Sequence, residues 1–437
     1  EKQNILVMSI GLDGIEEQAA WEATDIEDFF QELVTFKYFE GMENIESTFV
    51  DSGLVRGNIG NLIKAIISFI HQGLALYDIN AYSFRHIAEG FCRHPQLVCM
   101  LLEAFEHKFH PVKSNMHDYE QTKGSFLKLV ELLDTGEERY DVMNRNILKQ
   151  ALYFVEFLLK TNFYRNNKTA LCFRLDPKYM DYLPYNRKDR FPELPFAIYY
   201  VKGAYFLGYH IRFKDLARGG LRTVVPPKKD KMISERNYVF LECYGLAYTQ
   251  QKKNKDIPEG GSKGIIFLEP FERLAQETEI FHKELVEANI SQEDTEKYLK
   301  VFVENHKIEH LYQSQRSFIS SFITLINCEN DGTLKAKDIV DYWNKPEYVY
   351  LGPDENLHNE LIEWIAKYSE LSKYKPGNAF ISSKLSLGIN HKEFGVTSLC
   401  VNTYMEEALK YLGIDPKKDS FTVKMSGGPD GDVAGNQ

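Results

Sequence analysis

The sequence predicts an α/β protein: a mainly helical first third, then a mixed α/β region, then a closing unit that opens with a strand and a glycine loop. Three observations predict this. Apolar residues recur every three to four positions up to about residue 165. Near Thr169 the period changes to short β-branched and aromatic runs. After Met425 a strand-like run passes straight into glycines. The expected divisions are 1–165 for a helical extension, 166–418 for the α/β domain, and 419–437 for the start of a further, incomplete domain.

The bulk numbers narrow the functional classes. A chain of 437 residues with 43% apolar and 26% charged residues has room for more than one domain and a sizeable core. The net charge of −11 argues against a general nucleic-acid binder, yet leaves room for a local cationic pocket. The most apolar window, Ile59 to Ile79, is interrupted by Asn61, Lys64 and His71, so no membrane span is expected. Six scattered cysteines without a CxxC pair suit reduced core residues and a cytoplasmic protein. The chain opens on Glu1 rather than Met and stops inside a glycine motif, as a piece of a longer polypeptide would.

The elements follow in order. LIKAIISFIHQGLALY, introduced by Asn58 to Asn61, has helical spacing, as does YDVMNRNILKQALYFVEFLLKTNFY. Pro95 opens PQLVCMLLEAFEHKFH at a position where its missing N–H costs nothing. ALCFRL, PFAIYYVKG and YFLGYHIRF read as strands, the last two as a hairpin about Gly203-Ala204. KGIIFLE reads as a further strand, and EYVYLGPDE as a short one ending at a Gly-Pro turn. Two helical stretches lie between them, and ENLHNELIEWIAKYS is helical after the second. GVTSLCVNTYMEEALKYLG is a long helix with Gly413 as its C-cap. Finally, Phe421 to Met425 reads as a strand before Gly427, Gly428, Gly431 and Gly435. A strand running into such a loop is the arrangement that cradles a pyrophosphate in dinucleotide (Rossmann) folds, although the spacing here is not GxGxxG.

The stretch from Gly208 to Glu269 holds the chemistry. It sets Arg218, Lys253 and Lys263 beside glycines, amides or turn-formers, and carries the pairs Gly219-Gly220 and Gly260-Gly261, where backbone can approach a ligand. Cations around a glycine-lined cleft suit a small anion with more than one carboxylate. A lysine at 263, between glycines and ahead of a buried strand, can serve as an acid or base near neutrality. Asp354 follows a strand end, where α/β sheets place reacting groups, although an aspartate there can also cap the next helix. Thr397 and Ser398 stand where they could cap a helix. His306 to His310 spell HKIEH, formally a zinc-peptidase pattern. It lies in a Lys- and Glu-rich helical run without a third ligand, so no metal site is expected.

In register along the chain, ARGGLR, QKKN with the GGSKG lysine ten residues later, GPDEN, LGINHKEFGVTS and GGPDGDVAGN resemble the glutamate dehydrogenase family. The likeness is to its large NAD-specific type, which carries a long N-terminal extension. It runs from about residue 90 to 437. Two departures stand out: Ile265 replaces the second glycine after the lysine, and TVVPP follows GGLR. The resemblance implies an amino-acid dehydrogenase substrate domain followed by the start of a Rossmann domain. It implies oxidative deamination of L-glutamate to 2-oxoglutarate and ammonia, with NAD as cofactor and a homo-oligomeric full-length protein. By it, Lys263 is the catalytic lysine and Asp354 the proton shuttle. Arg218 and Lys253 hold the substrate carboxylates beside Gly219, Gly220 and Gly261. Thr397, Gly428, Gly431, Asp432 and Val433 contact the cofactor. The residue that separates NAD from NADP falls roughly 20 positions past the glycine loop, so the choice of NAD rests on the family likeness. With only the first strand and loop of that domain, the chain alone is expected to be inactive. A competing reading keeps the fold without turnover, as a ligand-sensing or assembly module.

Overall fold

A computed structural model describes residues 43–226, 229–270, 273–384, 394–425, 433 and 435. The helical region comprises α1 (Gly57–Tyr77), α2 (Phe84–Arg93), α3 (Pro95–Phe109), α4 (Met116–Glu131) and α5 (Glu138–Phe157). Local chemistry sets their ends. Ser83 Oγ accepts from His86 N at 3.3 Å to start α2, Pro95 occupies the first turn of α3, and Asn115 Oδ1 accepts from His117 N at 3.0 Å to start α4. By length and composition α1 could cross a membrane, but 83% of its apolar window is buried inside the chain itself. Gln72 ties that helix to the α/β region. Its Nε2 donates to Arg236 O at 2.7 Å, and its Oε1 accepts from Phe240 N at 3.0 Å.

Seven strands form one sheet: β1 (Leu158–Thr161), β2 (Leu171–Leu175), β3 (Ala197–Lys202), β4 (Phe206–Arg212), β5 (Ala217–Val224), β6 (Gly260–Leu268) and β7 (Tyr350–Pro353), in spatial order β1-β2-β3-β4-β6-β5-β7. The first four neighbour pairs are antiparallel, while β5 runs parallel to both β6 and β7. A parallel pair needs a crossover. Between β5 and β6 it is α6 (Lys229–Arg236) with α7 (Val239–Lys252), and between β6 and β7 it is α8 (Arg273–Glu287) with the long α9 (Gln292–Ile326). After β7 come α10 (Asn359–Leu371) and α11 (Val396–Tyr411). Gly413, at φ 73°, ends α11 as expected.

Each sheet face buries its own cluster. On one face α1, α5 and α7 cover Phe173, Tyr200, Tyr209, Ile211, Ile265 and Phe267. On the other, α9 and α10 cover Cys172, Tyr199, Val201, Leu221 and Ile266. With both faces covered, β2, β3, β4 and β6 read as unbroken apolar-rich runs rather than alternating ones.

Three sequence expectations change. β1 lies before residue 165, inside the stretch read as helical, because α5 passes into it without a break. β5 and the α6–α7 crossover occupy the cationic stretch, to which no element had been assigned. Phe421 to Met425 is exposed and forms no strand. It pairs with none of the seven strands, and a lone strand leaves its backbone groups without a ladder. The Rossmann opening therefore has no counterpart among the described residues, and Gly428, Gly431 and Asp432 lie outside them.

Candidate active site

The site is built on β5, β6 and the end of β7. All of β6 is buried, since β4 and β5 flank it and α7 packs on it. Gly261 permits that packing: a Cβ there would stand 2.1 Å from Gln251 N and 2.4 Å from Ala247 O of α7. Gln251 Oε1 also accepts from Gly261 N at 2.8 Å, pinning the C-terminal turn of α7 to the start of β6. Two residues on, Lys263 lies on the same face, with its side chain 7% exposed and ion-paired to Asp354.

Asp354 is placed by a tight connection after β7. Its N–H donates to Leu221 O at 3.0 Å, and Thr223 N donates to Glu355 O at 3.0 Å. Asn356, at φ 58°, donates from Nδ2 to Thr223 O at 2.8 Å, and Gln315 Nε2 donates to both Thr223 Oγ1 and Asn356 O at 2.8 Å. The aspartate caps no helix, because α10 starts at Asn359 with His358 before it. Burial pushes the Asp354 carboxyl up, but Lys263, its hydrogen bond and Arg222 outweigh burial and hold it below the usual carboxylate range.

Gly220 lies beneath this pair. A Cβ added to it would sit 3.0 Å from Asp354 Oδ2 and 3.1 Å from Lys263 Nζ. Gly219 faces the other way, against β6, where a Cβ would meet Ser262 O at 1.6 Å. The two glycines thus do different work: one lets β5 and β6 approach, and the other leaves room for the ion pair.

The remaining expected residues are less tightly gathered. Arg218 opposes Gly261 in register and so shares the face of Lys263, but its half-exposed guanidinium pairs with Glu259 at 3.0 Å. Glu259 also takes Lys255 at 3.3 Å. Lys253 is exposed where α7 ends, and its ammonium makes no ion pair among the described residues. The structure therefore joins Lys263 to Asp354, sets Arg218 alongside, and leaves Lys253 at the rim. Thr397 is exposed in the first turn of α11, and Val433 is described only as part of a turn.

Sequence reasoning passed over Arg222. Its Nε lies 3.7 Å from Asp354 Oδ2, and its Nη1 lies 3.4 Å from Glu242 Oε1. The signal was present: at a strand's period of two, Arg218, Gly220 and Arg222 share one face. The two departures noted in the sequence stay off the ion pair. Ile265 is fully buried in the core beneath α7, and Thr223 is held by Gln315.

Residues 131–293 match the family described as the catalytic domain of bacterial NAD-glutamate dehydrogenase. Glutamate dehydrogenase 2 of Dictyostelium discoideum is 32% identical over 356 residues, which are 80% of this chain and 29% of that protein. The NAD-specific glutamate dehydrogenase of Neurospora crassa is 32% identical over 362 residues, 80% of this chain and 30% of that protein. A hetero-hexameric glutamate dehydrogenase from Thermus thermophilus, in its leucine-bound form, aligns with 49% of this chain and 38% of its own at 20% identity, with a TM-score of 0.27. The chain spans about 30% of the length of the curated relatives it matches. Over about 80% of its own length, the chain is similar to NAD-specific glutamate dehydrogenases.

Proposed function

We propose that this chain carries the substrate-binding half of an enzyme that deaminates L-glutamate oxidatively to 2-oxoglutarate and ammonia, passing a hydride to NAD. The observation that carries the reading is the ion pair of Lys263 and Asp354 over a side-chain-free floor at Gly220. Bound NAD would accept the hydride from the substrate Cα, leaving an iminium. The chain's own residues serve the steps around it. Lys263 holds and activates the water that adds to the iminium carbon, and Asp354, ionised at neutral pH, takes and returns the amine proton. Arg218 and Lys253 bind the two substrate carboxylates, which sets a dicarboxylic amino acid apart from an apolar one. That role requires Arg218 to exchange Glu259 for substrate. On the same reading the complete protein is a homo-oligomer, and this chain alone does not turn over.

The test has two arms. Titration of 2-oxoglutarate into the chain should give saturable binding that Arg218→Ala weakens. In the full-length enzyme, Lys263→Ala should lower glutamate-dependent NADH formation by about 10²–10⁴-fold, the range for loss of a general acid–base group. An unchanged rate in that variant refutes the assignment. Binding with no turnover in the full-length wild type identifies a ligand-sensing module instead.

A further inference from the structure

On the α9 face of the sheet, behind the strands that carry the site, four polar side chains form a row. Lys160 on β1 opposes Arg174 on β2, Arg174 opposes Tyr199 on β3, and Tyr199 opposes His210 on β4, with Arg212 two residues further on. Lys160, Arg174, Tyr199 and Arg212 are all fully buried, as is Glu347 from the connection before β7. The carboxylate of Glu347 is saturated. Its Oε1 accepts from Arg174 Nη2 at 3.2 Å and from Arg212 Nη2 at 2.7 Å. Its Oε2 accepts from Arg174 Nε at 2.9 Å and from Tyr199 Oη. A carboxylate offers about four lone-pair sites, so nothing remains for Lys160, whose Nζ lies 3.3 Å away without hydrogen-bond geometry.

Several donors are left over. Lys160 Nζ, Arg174 Nη1, Arg212 Nε and Nη1, and Trp343 Nε1 are buried without an acceptor, and neither ring nitrogen of His210 has a hydrogen-bond partner. The Trp343 ring lies 3.7 Å from the Arg174 guanidinium carbon, so its N–H belongs to the same neighbourhood. Lys160, Arg174 and Arg212 share Glu347 as their ion-pair partner, so three cations face one carboxylate among the described residues.

We infer that this cluster encloses one small inorganic monoanion of halide size. Trapped water would satisfy the donors but leave the charge uncompensated, and an uncompensated buried cation is strongly destabilising. A ligand as large as glutamate is excluded, because side chains with no exposure leave no mouth for it. Glu347 is itself ionised, since burial, which pushes its carboxyl up, is outweighed by Arg174, Lys160 and Arg212, which bring it to about 2. The site is separate from the Lys263 face: Arg212 opposes Ser262, whose side chain points to the opposite side of β6.

Crystals of the chain grown with bromide in place of chloride give the direct test. One anomalous peak is expected within hydrogen-bond reach of Lys160 Nζ and Arg212 Nη1. In solution, Tm should rise with the logarithm of chloride concentration relative to gluconate at matched ionic strength, and Lys160→Met should abolish that dependence. Water alone in the cluster, with no anomalous peak, overturns the inference. A peak with no chloride dependence of Tm marks an adventitious ion only and overturns it as well. Should Lys160→Met fail to fold, the two wild-type measurements still decide.

Discussion

Gly219 and Gly220 are neighbours in sequence, yet adding one methyl group to each should have opposite consequences. At Gly220 an ideal Cβ would stand 3.0 Å from Asp354 Oδ2, 3.1 Å from Lys263 Nζ and 3.2 Å from Asp354 Cβ. Comfortable non-bonded separations are about 3.5–4.0 Å, so the ion pair has to yield by roughly half an ångström, and both side chains have free ends with which to do so. Stability should change by less than about 1 kcal/mol, because alanine also restricts the unfolded chain, which is worth about 0.4–1 kcal/mol. Catalysis should suffer more. A displacement of about 1 Å can cost about 10²-fold, so half of that predicts a kcat lower by about tenfold in the full-length enzyme. At Gly219 the Cβ would meet Ser262 O at 1.6 Å and Ser262 C at 2.3 Å. Backbone in a paired strand cannot step aside, so Gly219→Ala should cost about 3 kcal/mol or more. Urea unfolding of the two variants of this chain, with steady-state rates for Gly220→Ala in the complete enzyme, separates the effects. If Gly220→Ala unfolds as readily as Gly219→Ala, or if it leaves kcat untouched, the placement of the ion pair over Gly220 is wrong.

Further outcomes follow from the same coordinates. Glu347→Gln strips the shared counter-charge from Arg174 and Arg212 and should destabilise the chain by about 3–5 kcal/mol in urea unfolding; a loss below about 1 kcal/mol would mean that the cluster is not dry. Gly261→Ala pushes α7 off β6 at Gln251 N and should lower Tm at least as much as Gly219→Ala. His71 and His210 are both held down to about 3, by burial first and then by Arg236 and Arg212 respectively, so the folded state keeps them neutral while the unfolded chain protonates near 6.5. Their contribution is complete above pH 6.5 and falls away as the pH drops, by up to about 1.4 kcal/mol per pH unit for each histidine. Unfolding free energies at pH 7 and pH 5 should differ in that sense, and by clearly less in His210→Phe.

The sequence revealed strands wherever apolar residues marked them, and failed where they did not. β2, the β3–β4 hairpin and β6 stood out because the sheet is covered on both faces and apolar residues dominate their runs. β5 was hidden because Arg218, Gly219, Gly220 and Arg222 offer no hydrophobic signal. Its alternation shows only once one sees that Ala217, Leu221 and Thr223 are buried between its neighbours. The meeting of Lys263 with Asp354 was legible through the family likeness and not through spacing, since 91 positions separate the two residues. The buried row of Lys160, Arg174 and Arg212 was unreadable for a different reason. In isolated strands those charges look like an ordinary solvent face, and only the docking of α9 and the loop bearing Glu347 turns that face inward. The closing run from Phe421 to Met425 forms no strand among the described residues, because a strand also needs a partner and none of the seven lies beside it.

The order of strands explains why a glycine has to lie between Lys263 and Asp354. Lys263 and Asp354 come from β6 and from the end of β7, which are not neighbours; β5 runs between them. Two inter-strand spacings separate β6 from β7, about 9.6 Å in all, a gap that one long and one short side chain can close only by crossing β5. Register puts Gly220 opposite Gly352 and, from the Leu221–Gly264 pair, beside Lys263. The crossing therefore passes over Gly220, a position that has no side chain. A lysine on one strand, an aspartate after the next but one, and glycine between them form a single geometric requirement. This is why ARGGLR, GGSKG and GPDEN carry meaning together that none of them carries alone.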